Sequence, residues 1–126
     1  MKHMTLAAIV LAALTAISGC SSPKAGCDLL FESRSTDTIP YRIPAIAEMK
    51  RGTLLALADY RHCGSDIGFG RVDIHGRISK DSGHTWGEEF TLIEGTGTSG
   101  SVDCGFGDAA IVADRSSNDV LVLTVY

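Results

Sequence analysis

The sequence predicts an all-β domain behind a short apolar leader, and three observations carry that expectation. After position 20 no stretch shows apolar residues at i, i+3, i+4 and i+7. Short apolar segments instead recur about every ten residues, separated by Gly, Asp, Ser and Asn. The 126 residues hold 14 glycines and are 44% hydrophobic, a globular composition too short for more than one domain.

Taken in order, residues 5–17 (TLAAIVLAALTAI) form an apolar run behind Lys2 and His3. A bilayer-spanning helix needs roughly 20 apolar residues, so this run suits the central region of an export signal. Thr53–Ala58 follows the turn pair Arg51-Gly52 and is apolar on both faces, as in a central strand. Val72, Ile74 and Ile78 alternate with Asp73 and Arg77, a half-buried strand interrupted by Gly76. Glu89–Ile93 reads as a short strand. Ala109–Ala113 and Val120–Val125 flank Ser116-Ser117-Asn118-Asp119, a hairpin signal. The pattern fits a sandwich, a barrel or a propeller. The chain stops at Tyr126 inside an apolar alternation, which suggests the front of a longer protein, since an unpaired hydrophobic strand is an exposed edge.

Charge narrows the function classes. Eleven Lys and Arg against fifteen Asp and Glu give a net charge of −4. No basic stripe is present to neutralise phosphates, so nucleic acid is not an expected partner. Four cysteines are too few for a disulfide-dense mini-protein, and Cys27, Cys63 and Cys104 show no zinc-ligand spacing. His3, His62, His75 and His84 are likewise scattered, so neither a metal nor a cofactor is expected. Gly95–Gly100 matches G-x-G-x-x-G, but no helical period follows it, so it reads as a flexible loop rather than a dinucleotide site.

Several strings resemble known motifs. Ile17-Ser18-Gly19-Cys20 resembles the bacterial lipobox, with Ile17 in place of the usual leucine. That resemblance implies a signal peptide over 1–19, lipidation of Cys20, a tether over 20–30 and a membrane-anchored, exported protein. Ser79-Lys80-Asp81-Ser82-Gly83-His84-Thr85-Trp86 matches S-x-D-x-G-x-T-W, the Asp box of sialidases and related β-propellers. Asp81 and Ser79 can accept turn N–H groups, Gly83 can take positive φ, and Trp86 can pack between layers. Non-enzymatic propellers carry this turn as well. Tyr41-Arg42-Ile43-Pro44 resembles the F/Y-R-I-P motif that opens sialidase domains, and Gly107-Asp108 resembles the start of their second blade, with Ala109 replacing a frequent proline.

Together these motifs make the stretch from about Thr38 to Tyr126 similar to bacterial exo-α-sialidases. The resemblance implies about two blades of a six-bladed β-propeller over 31–126. It also implies sialylated glycoproteins, glycolipids and oligosaccharides as partners. Arg42 would be the first of three arginines holding the sialic acid carboxylate, for which a planar, permanently charged fork is suited. Arg61 would bind a ring hydroxyl, and Asp108 would face the acetamido or ring hydroxyl groups. Asp66, on a Gly- and Ser-rich loop, would be the general acid/base, with Asp59 and Asp73 as competing carboxylates. The family's tyrosine nucleophile, its activating glutamate and the other two arginines match nothing in this chain, so the fragment alone should be inactive. The rival reading is a non-catalytic Asp-box propeller that binds glycans or other partners.

Overall fold

The local sequence around Leu54–Arg61 fixes the centre of the fold. Leu55 and Leu57 point one way along an extended chain and Ala56 and Ala58 the other, and all four are buried. The computed structural model describes residues 29–33, 40–62, 69–96 and 105–126. Among the described residues there are six strands: β1 (Tyr41–Glu48), β2 (Leu54–Arg61), β3 (Val72–Ser79), β4 (Phe90–Ile93), β5 (Gly107–Ala113) and β6 (Val120–Val125). There is no α-helix among the described residues, and no helix there is long and apolar enough to cross a membrane.

Strands β1 to β4 form one antiparallel sheet in chain order, and β5 and β6 form a second. This is a partial β-propeller: one four-stranded blade followed by the opening hairpin of the next. Arg51 (φ 61°) and Gly52 (φ 72°) are both left-handed in the short link between β1 and β2, where the Thr53 N–H closes the turn by donating to the Lys50 carbonyl at 3.3 Å.

The core lies between the sheets. Leu57 and Ile74 are fully buried, and with Met49, Leu55 and Ala109 they pack against Ile111, Val120 and Val122 of the second sheet. Each fully buried leucine or isoleucine contributes about 1.5–3 kcal/mol. A parallel bridge pairs Val72 with Gly105, and the Phe106 N–H donates to the Val72 carbonyl at 3.0 Å. At the other end, the Lys50 N–H donates to the Ser117 carbonyl at 3.2 Å.

Two differences from the sequence reading have physical causes. Strand β1 adds to the strands read from the sequence, although its Pro44 removes a ladder donor. It forms at a sheet edge and carries a bulge between Arg42 and Ala45, where a proline is tolerated. Strand β3 is continuous and buried at Val72, Asp73 and Ile74 rather than half-buried and broken at Gly76. Gly76 serves close approach: a Cβ there would sit 2.7 Å from the Phe90 ring and 3.1 Å from Leu57 Cδ2.

Candidate functional site

The up-and-down path brings particular strand ends together. The start of β1, the end of β2, the start of β3 and the end of β4 adjoin, through the pairs Tyr41–Tyr60, Arg61–Val72 and Ile74–Ile93. The start of β5 joins them, because the Asp108 N–H donates to Asp59 Oδ1 at 3.1 Å. Arg42, Asp59, Arg61, Asp73 and Asp108 therefore gather at one end of the two sheets. Asp66 and the cysteines Cys20, Cys27, Cys63 and Cys104 lie outside the described residues, as does most of Gly95–Gly100.

Bulges aim two of these side chains. Between Arg42 and Ala45, β1 carries one residue more than β2, and Ile43 sits at φ 51°. Between Gly107 and Ala110, β5 carries one residue more than β6, and Asp108 sits at φ 53°. A left-handed L-residue costs roughly 1–2 kcal/mol, and a β-branched one such as isoleucine is the rarer case. Such strain clusters at functional sites. Arg42 and Asp108 are exposed, and among the described residues no carboxylate pairs with Arg42.

Beneath them lie buried charges. Asp59 is fully buried, and Arg61, the last residue of β2, has a side chain only 3% exposed. Arg61 Nη2 donates to Asp59 Oδ2 at 3.4 Å. Burial pushes the Asp59 carboxyl up, and the Arg61 guanidinium offsets only part of that shift. Asp73 is held differently. Arg71 Nε donates to Asp73 Oδ1 at 3.0 Å and Arg71 Nη2 donates to its Oδ2 at 3.0 Å. His62 Nε2 lies 2.7 Å from Oδ2, and the Gly95 N–H donates to Oδ1 at 2.8 Å. Burial alone would raise this carboxyl, but the donors outweigh it and hold Asp73 below the usual range.

A second polar set was invisible in the sequence. Tyr41 donates to Glu89 Oε1 at 2.5 Å, and His75 Nδ1 lies 2.6 Å from the same oxygen. The Tyr60 and His75 rings stack 4.5 Å apart. Burial and then the Glu89 hydrogen bond push the Tyr41 hydroxyl up. The partners are up to 48 residues apart and share no local pattern. Alternation along a strand was the one available signal: it puts Asp73, His75 and Arg77 on the face of β3 opposite Ile74.

An apolar cavity of about 410 Å³ is lined by Phe31, Tyr41, Arg42, Pro44, Ile46 and Ala56, among others. Arg42 borders it, whereas Asp59, Arg61 and Asp108 do not. Among the described residues, no group of three or more His, Cys, Asp and Glu is placed to hold a metal ion.

The Ser79–Trp86 turn lies at the opposite end of the sheet, joining β3 to β4. Ser79 Oγ accepts the Gly83 N–H at 2.8 Å and donates to Asp81 Oδ1 at 2.8 Å. Asp81 Oδ1 accepts the Thr85 N–H at 2.8 Å, and Oδ2 accepts the Thr85 hydroxyl at 2.6 Å. The Thr85 hydroxyl and amide hold the Asp81 carboxyl down to about 2. Gly83 sits at φ 91°. Trp86 is half-buried beside Ile78 and Phe90.

Fold and site together define an all-β propeller fragment with buried charges beneath a polar end. The chain is 34% identical over 116 residues to a sialidase of Micromonospora viridifaciens, covering 88% of this chain and 18% of that protein. It is 33% identical over 89 residues to a sialidase of Bacteroides fragilis (strain YCH46), covering 68% of this chain and 16% of that protein. The chain is thus related to the sialidase family, and it spans less than a fifth of the length of these curated relatives. No protein-family model matches it.

Proposed function

We propose that this chain is the N-terminal part of an exo-α-sialidase that hydrolyses terminal sialic acid from glycoconjugates with retention of configuration. The observation that supports this best is the convergence of Arg42, Arg61 and Asp108 at one end of two adjoining sheets, in a chain related to sialidases. In this reading Arg42 clamps the anomeric carboxylate, while Arg61 and Asp108 take ring substituents. Asp66 protonates the leaving oxygen and then activates water. Because the carboxylate repels an anionic nucleophile, such enzymes use a tyrosine. That tyrosine, its glutamate and two further arginines would come from later blades of a six-bladed ring. Ser79, Asp81, Gly83, Thr85 and Trp86 form the Asp box, a structural turn away from the site.

The complete protein should release sialic acid from a fluorogenic sialoside. Binding of sialosides without turnover would favour the non-catalytic propeller as a glycan-binding module, and neither binding nor turnover would end the sialidase reading and leave a propeller that binds other partners. The same proposal includes the anchor. Cys20→Ala should shift the protein from the membrane to the soluble fraction or stall its processing, and the wild type should take up acyl label; an unlabelled wild type whose fractionation the substitution leaves unchanged would dismiss the anchor.

A further inference from the structure

We infer that Asp59 is a positioning residue that holds the Arg61 guanidinium and the Asp108 backbone in register, so that groups from two sheets meet as one binding site. The inference rests on the sialidase reading for the site's purpose and on geometry for Asp59 itself.

Asp59 stands opposite Arg42 in the β1–β2 ladder. Its Oδ2 accepts Arg61 Nη2 at 3.4 Å, and its Oδ1 accepts the N–H of Asp108, 49 residues away in the other sheet, at 3.1 Å. Asp108 lies inside the β5 bulge at φ 53° and has no partner residue in the β6 ladder. Its N–H is turned out of that ladder and meets the Asp59 carboxylate instead. An ionised carboxylate with no exposure is tolerated only where donors compensate its lost hydration. The donors here are groups of the two residues proposed to face the sugar ring. Asp59 has no exposed surface and does not need to touch the substrate; its effect passes through Arg61, which keeps 4% of its surface, and through the exposed Asp108.

Asp59→Asn keeps the shape and one acceptor but sets an amide N–H₂ or a weaker carbonyl against the guanidinium. In the complete protein it should lower kcat/KM on a sialoside by on the order of 10²-fold, the scale of a misplacement of about 1 Å. Its melting temperature should stay within a few degrees of wild type. Combined with Asp108→Ala, which removes the carboxylate but keeps the N–H that Asp59 accepts, the losses should be sub-additive, because the part of the Asp59 effect that passes through the Asp108 side chain then has nothing left to position. Losses that simply add, or that follow melting temperature, would overturn the inference. A second measurement needs no variant: the Asp108 amide signal of the wild-type protein should shift with pH in step with the Asp59 carboxyl. An Asp108 amide indifferent to that titration would also overturn it. If the wild type turns over no sialoside, the sialidase reading fails alone, and the amide signal still decides whether Asp59 holds Asp108.

Discussion

Arg42 illustrates how a single side chain is made available. Its neighbour Pro44 cannot donate to the ladder, the strand bulges, and the guanidinium is left exposed without a carboxylate partner among the described residues. If it clamps a carboxylate, planarity matters as well as charge. Arg42→Lys in the complete protein should weaken binding of sialic acid and its unsaturated analogue, since a lysine keeps the charge but loses the planar fork; truncating one partner of a buried charge pair altogether costs about 2–5 kcal/mol. Calorimetric affinities equal to wild type would remove Arg42 from that role. Asp66 is tested by its leaving group. A natural galactoside departs as a poor alkoxide and needs a proton, whereas an activated aryl group does not, and a general acid contributes roughly 10²–10⁴-fold. Asp66→Ala should slow single-turnover cleavage of natural sialosides far more than of aryl sialosides. The competing carboxylates are already committed within the fold, Asp59 to Arg61 and the Asp108 N–H, Asp73 to Arg71, His62 and the Gly95 N–H. Asp59→Ala and Asp73→Ala should therefore show no such split. Equal losses on both substrate types for Asp66→Ala would exclude it as the acid.

Among the elements, β3 and β4 show how a missing side chain sets sheet geometry. The Phe90 ring fills the space that a Cβ at position 76 would need. Gly76→Ala should lower stability by about 1–3 kcal/mol through overpacking, read as a lower denaturant midpoint with an unchanged slope. An unaltered midpoint would mean that the ring moves aside freely. The same elements show what the sequence made legible. Strands β2, β4, β5 and β6 were announced by apolar runs bounded by Gly, Asp, Ser and Asn, because those residues act locally on the backbone. The existence of β1 depends on pairing with β2, a tertiary fact that Arg42 and Pro44 obscure in the local pattern. Motif spacing brought Arg42, Arg61 and Asp108 to notice, each beside a strand end or bulge. The Asp73–His62–Arg71 and Tyr41–Glu89–His75 groups were not legible, because each joins residues from separate strands or loops whose encounter only the sheet register fixes. The burial of β3 on both faces at Val72, Asp73 and Ile74 was missed for a related reason: the second sheet that helps to cover it comes from residues 107–125, well beyond the window in which alternation is read.

At the scale of the whole molecule, the charges within the fold make its stability depend on pH in two opposing ways. Asp73 and Glu89 are held below the usual carboxylate range, Asp73 by Arg71, His62 and the Gly95 N–H, Glu89 by Tyr41 and His75. The folded state therefore binds these protons less readily than the unfolded chain. Their contribution is present above the unfolded carboxylate value of about 4 and is lost as pH falls through the lower folded values. Asp59 has the opposite sign. Burial raises its carboxyl, so its contribution is greatest below about 4 and is lost as pH rises through the raised value. The complete protein should lose thermal stability as pH drops from 6 to 3, with the lowered carboxylates outweighing Asp59. Asp73→Asn should lower the melting temperature near neutrality and flatten that acid-side decline. Asp59→Asn should steepen it, by removing a group whose protonation favours the folded state. Melting temperatures across this range for the three proteins decide the matter. Parallel profiles for wild type and Asp73→Asn would show that the Asp73 cluster does not govern acid stability, and a flatter profile for Asp59→Asn would mean that its carboxyl is held down rather than raised in the folded protein.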